Sequence, residues 1–126
     1  MKKVYTSNAP TPAGHYSQAI VHNGLVYLSG QLPIVPGTGE KITGSIEEQT
    51  KQVLENVTAV LTAANSDLKK VIKTTVYISD ISLWDKVNDV YAEYFGKVRP
   101  ARSVVPTREL HFGFKIEMDA IAALKD

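Results

Sequence analysis

The chain has 126 residues, 44% of them hydrophobic, which is enough for one core and too little for two, so residues 1–126 read as a single domain. Its 14 basic and 13 acidic side chains leave a net charge of +1, which points away from nucleic acid or an anionic membrane and leaves a small neutral or singly charged ligand open. The lack of cysteine excludes disulfides, thiolate metal sites, thiol nucleophiles and iron–sulfur clusters.

Residues 1–16 are punctuated by Pro10, Pro12 and Gly14 and read as an extended arm. Neither this arm nor any later stretch has the apolar run of a secretory signal or a membrane span, so a cytoplasmic protein is the default expectation. The β-prone segments 17–21 and 25–30 flank His22-Asn23-Gly24, where Asn-Gly supplies the positive φ angles of a tight hairpin turn. Pro33, Pro36, Gly37, Gly39 and Gly44 then predict a surface loop without a regular element.

Ser45 and Glu48 form a capping box, followed by Ile46, Val53, Leu54, Val57, Val60, Leu61 and Ala64 at helical spacing, which predicts a helix over 46–64. Residues 71–79 alternate as a strand, with Ile72, Thr74, Val76 and Ile78 on one side. A second helix starts near Ser82, carries Trp84, Val87, Tyr91, Tyr94 and Phe95 as its stripe, and stops at Gly96. Strands over 101–106 and 115–123 complete the order β-β-α-β-α-β-β, an α+β arrangement of one mixed sheet with two helices on one face. The uncovered face is expected to carry Ala19, Val21, Tyr27, Val105 and Ile121, and so much exposed apolar surface predicts a closed homo-oligomer.

Several polar residues fall where the pattern favours apolar ones. Asn88 sits on or beside the stripe of the second helix, either to satisfy a backbone group or to orient a loop or ligand. Glu117 and Asp119 share the outer face of the last strand with Ile121. They are ordinary surface acids if that face is wet, and must be paired or functional if it is an interface. Arg102, at the entrance of its strand, is either half of a surface ion pair or a bidentate carboxylate binder. Gly30, after Ser29, suggests a bulge or the close approach of another backbone, and the Ser29 hydroxyl is open to serving only that turn. His15, His22 and His111 have no metal-ligand spacing, and neither a nucleophile elbow nor a phosphate-cradling glycine loop is present, so no metal or cofactor is expected.

The segments GHYSQA (14–19), YLSGQLP (27–33), KTTVYISD (73–80), VNDVYAEYF around Asn88, RPARS (99–103) and KIEMDAIA (115–122) together resemble the RidA (YjgF) imine deaminase family, in its order and spacing and over nearly the whole chain. The resemblance implies a chorismate-mutase-like fold and a homotrimer whose sheets line a central barrel, with sites between subunits. It also implies hydrolysis of reactive 2-imino acids, of the 2-aminoacrylate and 2-iminobutanoate class, to 2-keto acids and ammonia. On it, Arg102 grips the substrate carboxylate and Glu117 positions the hydrolytic water, the two converging from strands expected to be neighbours. Tyr16, Ser29, Gly30 and Asn88 line or support the pocket.

The chain departs from the family pattern at His15, where a proline is usual, and at Val104, where a cysteine is frequent and where the backbone is still able to meet substrate. It departs again at Leu110-His111 followed by Phe112 and Phe114, which bears on pocket shape. Two other readings stand beside the enzyme. One is a non-catalytic binder of small carboxylates, needing the arginine but not the glutamate; the other, an RNA-acting protein, is disfavoured by the near-neutral charge.

Overall fold

The computed structural model describes residues 1–126. The elements run β1 (Lys2–Val4), β2 (Ala19–His22), β3 (Leu25–Gln31), α1 (Ile46–Ala63), β4 (Val71–Ile78), α2 (Trp84–Phe95), β5 (Ala101–Pro106) and β6 (Ile116–Ala123). Asn23 and Gly24, with φ of 50° and 78°, close the β2–β3 hairpin as their residue types permit. The Ser45 hydroxyl accepts the Glu48 amide at 3.1 Å and caps α1, an interaction worth about 1 kcal/mol. Gly96 ends α2 at a φ of 59°. The loop over 32–44 carries no regular element beyond a single bridge between Ile34 and Lys41.

The arm expected over residues 1–16 is partly regular: Lys2–Val4 adds an edge strand to β2, so one more strand precedes the order read from the sequence. Three residues without alternation carry no periodic signal; their pairing comes from the exposed edge of β2.

The six strands form one sheet in the order β1-β2-β3-β6-β4-β5, antiparallel except where β5 runs parallel to β4. The crossover through α2 lays β5 on the outer edge of β4, and β6 returns between β3 and β4. Arg102 and Glu117 are therefore not on neighbouring strands, as expected above, because β4 lies between them.

Both helices cover one face of the sheet, where Leu54, Val57 and Leu61 of α1 and Val87 and Phe95 of α2 meet Val26, Leu28, Val76, Ile78, Ile116 and Met118. Ala19 and Val21 belong to this face as well, which corrects their assignment to the uncovered one: they pair with Leu28 and Val26, and paired residues share a side. Tyr27, Val105 and Ile121 do lie on the open face, where Tyr27 remains 43% exposed. Ile72 leaves the apolar side of β4 because a register shift between Val71 and Lys73 turns it outward. No helix is long and apolar enough to cross a membrane.

Candidate functional site

Arg102 pairs with Thr74 and thus points to the helix face. Its guanidinium carbon stands 4.7 Å from the centre of the Tyr91 ring and 5.4 Å from that of Trp84, and Nη1 donates to Asn88 Oδ1 at 2.9 Å. Tyr91 is in turn fixed by a 2.8 Å hydrogen bond between its hydroxyl and Thr74. Burial raises the Tyr91 hydroxyl pKa, with Thr74 and Arg102 opposing it, so the residue remains neutral beside the cation. Trp84, expected in the buried stripe, is 38% exposed; Val90 takes its place in the core, and the indole is left beside Arg102.

No carboxylate pairs with Arg102, since the chain's one ion pair joins Lys125 to Asp67. Of the two readings of Arg102, the surface ion pair is thereby removed. Asn88 occupies one of five guanidinium donors, and Arg102 borders a cleft of about 410 Å³ lined also by Asn88, Tyr91, Phe95 and Arg99. Val104 lies outside that lining. It faces the core from β5, the sheet's edge strand.

Glu117 occupies the opposite side. It pairs with Tyr77, three residues along β4 from Thr74, so its side chain is on the open face. Its carboxylate lies against Gly30: a Cβ there would overlap Oε2 and stand 3.1 Å from Cδ. Between Leu28 and Gln31 the ladder to β6 slips, so the Ser29-Gly30 segment is a β-bulge, and the neighbour approaching Gly30 is a carboxylate rather than backbone. The Ser29 hydroxyl donates to Ser17 O at 2.6 Å and its amide to Gln18 O at 2.9 Å, which ties down the segment that presents Tyr16. Ser29 thereby ties the hairpin to the Tyr16 segment.

Gly30 and Tyr16 line a second cavity of about 320 Å³, closed by Leu32, Ile34, His111 and Phe112, and Glu117 adjoins it through Gly30. Desolvation raises the Glu117 carboxyl above the ordinary carboxylate range; the His111 imidazole opposes this and Asp119 adds to it. Asp119 is raised as well, again first by burial, while the Tyr77 hydroxyl and Thr75 pull it down.

Three amides that the sequence reading did not single out hold these walls in place. Gln18 accepts the Thr6 amide at 2.7 Å and donates to Thr6 O and Pro10 O, fastening the arm over the cavity. Asn56 donates to Leu32 O and Ile34 O at 3.0 and 2.9 Å. Gln49 donates to Gly44 O and accepts the Lys115 amide. Each is 1% exposed, so their hydrogen bonds are obligatory.

The site residues thus fall into two groups. Tyr16 and Gly30 line one cavity, with Glu117 against Gly30 and Ser29 behind them, whereas Asn88 and Arg102 gather at another on the far side of the sheet, near Val104. No three of His, Asp and Glu converge as a metal site.

Comparison with known proteins gives a consistent picture. The family model described as Endoribonuclease L-PSP matches residues 6–124. A RutC family protein of Pyrococcus horikoshii is 50% identical over 97% of this chain and 98% of its own. The 2-iminobutanoate/2-iminopropanoate deaminase of Bos taurus is 40% identical over 96% of this chain and 88% of its own. The crystal structure of E. coli TdcF with bound serine superposes with a TM-score of 0.94 at 34% identity, covering 99% of this chain and all of that one.

Proposed function

The chain belongs to the RidA (YjgF) family, and from that premise we propose that it hydrolyses 2-imino acids of the 2-iminobutanoate class to 2-keto acids and ammonia. We propose further that residues 1–126 act as one unit of a homotrimer with sites between subunits. The observation that carries this reading is the placement of Arg102. It is a stacked and oriented guanidinium without a counter-ion, on the opposite side of the sheet from the desolvated Glu117 carboxylate. One chain cannot bring the two groups together, whereas a second copy can present its Arg102 to the cavity beside Glu117. The open face, with Tyr27, Val105 and Ile121, offers the apolar surface for that association, in the barrel arrangement of a chorismate-mutase-like fold. Serine bound to TdcF is a small carboxylate of the kind such a guanidinium suits.

In this mechanism Arg102 holds the substrate carboxylate, with Asn88 fixing the plane of the guanidinium. Glu117 takes a proton from water as the water oxygen bonds to C2, converting the C=NH₂⁺ group to a carbinolamine. The protonated Glu117 returns that proton to nitrogen, the C–N bond breaks, and the hydroxyl proton leaves with ammonia as ammonium while the 2-keto acid forms. A raised carboxyl pKa suits this exchange, because a general base works best when its pKa approaches the working pH. Tyr16 and the bulge at Ser29-Gly30 shape the water's side of the pocket. No thiol takes part, since the chain has no cysteine.

Stopped-flow assay of 2-iminobutanoate, generated by a dehydratase, tests the reading. Arg102→Ala abolishes turnover with the assembly intact by size-exclusion chromatography. Glu117→Ala lowers kcat by about 10²–10⁴-fold and weakens keto-acid binding less. Ligand binding by wild type without any acceleration refutes the enzyme in favour of a carboxylate sensor. The net charge of +1 and the absence of a basic stripe favour a small acid over RNA as the substrate.

A further inference from the structure

The 320 Å³ cavity is larger than a two-carbon substituent needs, and its outer wall is built in an unusual way. Phe112 has a φ of 56° and ψ of 22°, a left-handed conformation that aromatic side chains seldom adopt, and Gly113 follows with a φ of 71°. Backbone strain of this kind persists only where the surroundings impose it, and it collects at functional sites. Its effect is to separate two successive aromatics of the turn: Phe114 goes into the interior at 1% exposed, and Phe112 is swung out to 59% exposed at the cavity. The Phe112 ring is then fixed from two sides. Its centre lies 5.8 Å from that of Phe114 in an edge-on arrangement, and Lys41 Nζ stands 4.6 Å above it. Lys41 is bridged to Ile34, which lines the same cavity and whose carbonyl is held by Asn56. A large aromatic is thus held rigid and half-exposed beside a pocket with apolar Leu32 and Ile34 in its lining.

We propose that this cavity receives the substrate's side chain, and that Phe112 makes the protein selective for 2-imino acids carrying a bulky apolar or aromatic group. The proposal rests on the deaminase reading above. There, C2 is trigonal and lies at Glu117, its carboxylate is directed to Arg102 of the second copy, and the remaining carbon substituent has the Phe112 cavity before it. A phenyl ring entering between Ile34 and Phe112 meets an exposed ring edge and face, the geometry that aromatic pairs favour. An ethyl group leaves most of the space empty.

The test measures kcat/KM on two imines, 2-iminobutanoate and the imine an amino-acid oxidase forms from phenylalanine, for wild type, Phe112→Ala, Phe112→Leu and Ile34→Trp. Wild type is expected to favour the phenyl imine by at least about 3-fold. Phe112→Ala lowers the phenyl-to-ethyl ratio by about 2- to 13-fold, the equivalent of one aromatic pair. Phe112→Leu, which retains an apolar wall, lowers it less, and Ile34→Trp, which fills the cavity, inverts the preference. Wild type inactive on both imines refutes the deaminase reading itself. Wild type active on 2-iminobutanoate, with a ratio that none of the three substitutions moves, refutes the side-chain pocket alone.

Discussion

Gly30→Ala separates the chemistry of this site from its stability. The new Cβ overlaps Glu117 Oε2 and stands 3.1 Å from Cδ and 3.3 Å from Cγ, whereas carbon atoms rest at about 3.5–4.0 Å. The carboxylate is the free end of a flexible side chain and recedes by about 1 Å, so the fold loses little. Gly30 is not among the residues with positive φ, so alanine fits its backbone, and the stiffer unfolded chain offsets part of the displacement by about 0.4–1 kcal/mol. A 1 Å misplacement of a catalytic group costs on the order of 10²-fold in rate. The expected result is a kcat for 2-iminobutanoate lowered about 100-fold with a melting temperature within a few degrees of wild type. If the loss arises through Glu117, the Gly30→Ala/Glu117→Gln double variant is no slower than Glu117→Gln alone. A wild-type rate in Gly30→Ala, or losses that add in the double variant, refutes the role assigned to the contact.

Asn88→Ala frees the Arg102 guanidinium to rotate; one charge-assisted hydrogen bond of about 1.5 kcal/mol corresponds to a rise in KM of roughly 10-fold, with kcat altered less, in steady-state assays. Asn56→Ala strands the Leu32 and Ile34 carbonyls and costs about 1–3 kcal/mol, read as a fall in Tm of roughly 4–12 °C by calorimetry. Glu117→Gln raises Tm near neutral pH. The folded carboxyl pKa lies above the unfolded one, so stability falls as pH rises from the unfolded value through the folded one, and above it the desolvated charge is a constant cost that glutamine removes. The gap between the two melting curves closes below the ordinary carboxylate range, and a gap that persists there refutes the cause.

What was readable in the sequence follows the range of the interactions involved. The hairpin and both helices depend on residues within a turn or two of one another, and Asn23-Gly24, the Ser45 cap and Gly96 announce them. Insertion of β6 between β3 and β4 depends on pairings such as Thr74 with Ala120, far apart in the chain, which no local pattern encodes. That insertion is why Arg102 and Glu117, read as neighbours, are separated by a strand. The paired positions of β2 are similar: Ala19 and Val21 alternate with Ile20, but only the register with β3 decides which set faces the helices. Gln49 and Asn56 were within reach, since both fall on the apolar stripe of α1 beside Val53, Val57 and Val60, where a buried amide needs partners. The left-handed Phe112 had no such signal, because an aromatic before glycine is compatible with many turns.

The two raised acids and the exposed apolar residues of the open face bear on one another. In the isolated chain, Glu117 and Asp119 are already desolvated enough to lift both carboxyls, while Tyr27 and Val105 beside them remain partly in water. Covering that face with further copies removes water from the same strands and drives the carboxyls higher still, an opposing cost that the buried apolar area must exceed. For Asp119 the Tyr77 hydroxyl and Thr75 oppose the rise. Glu117 has neither partner and faces an arginine only when a second copy supplies one. Association and catalysis are then linked through this one carboxyl. On the proposed trimer Arg102→Ala, which removes the cation, shifts the Glu117 titration upward. Carboxylate-resolved NMR titration of wild type and Arg102→Ala measures that shift directly, and an identical midpoint in both places the guanidinium elsewhere.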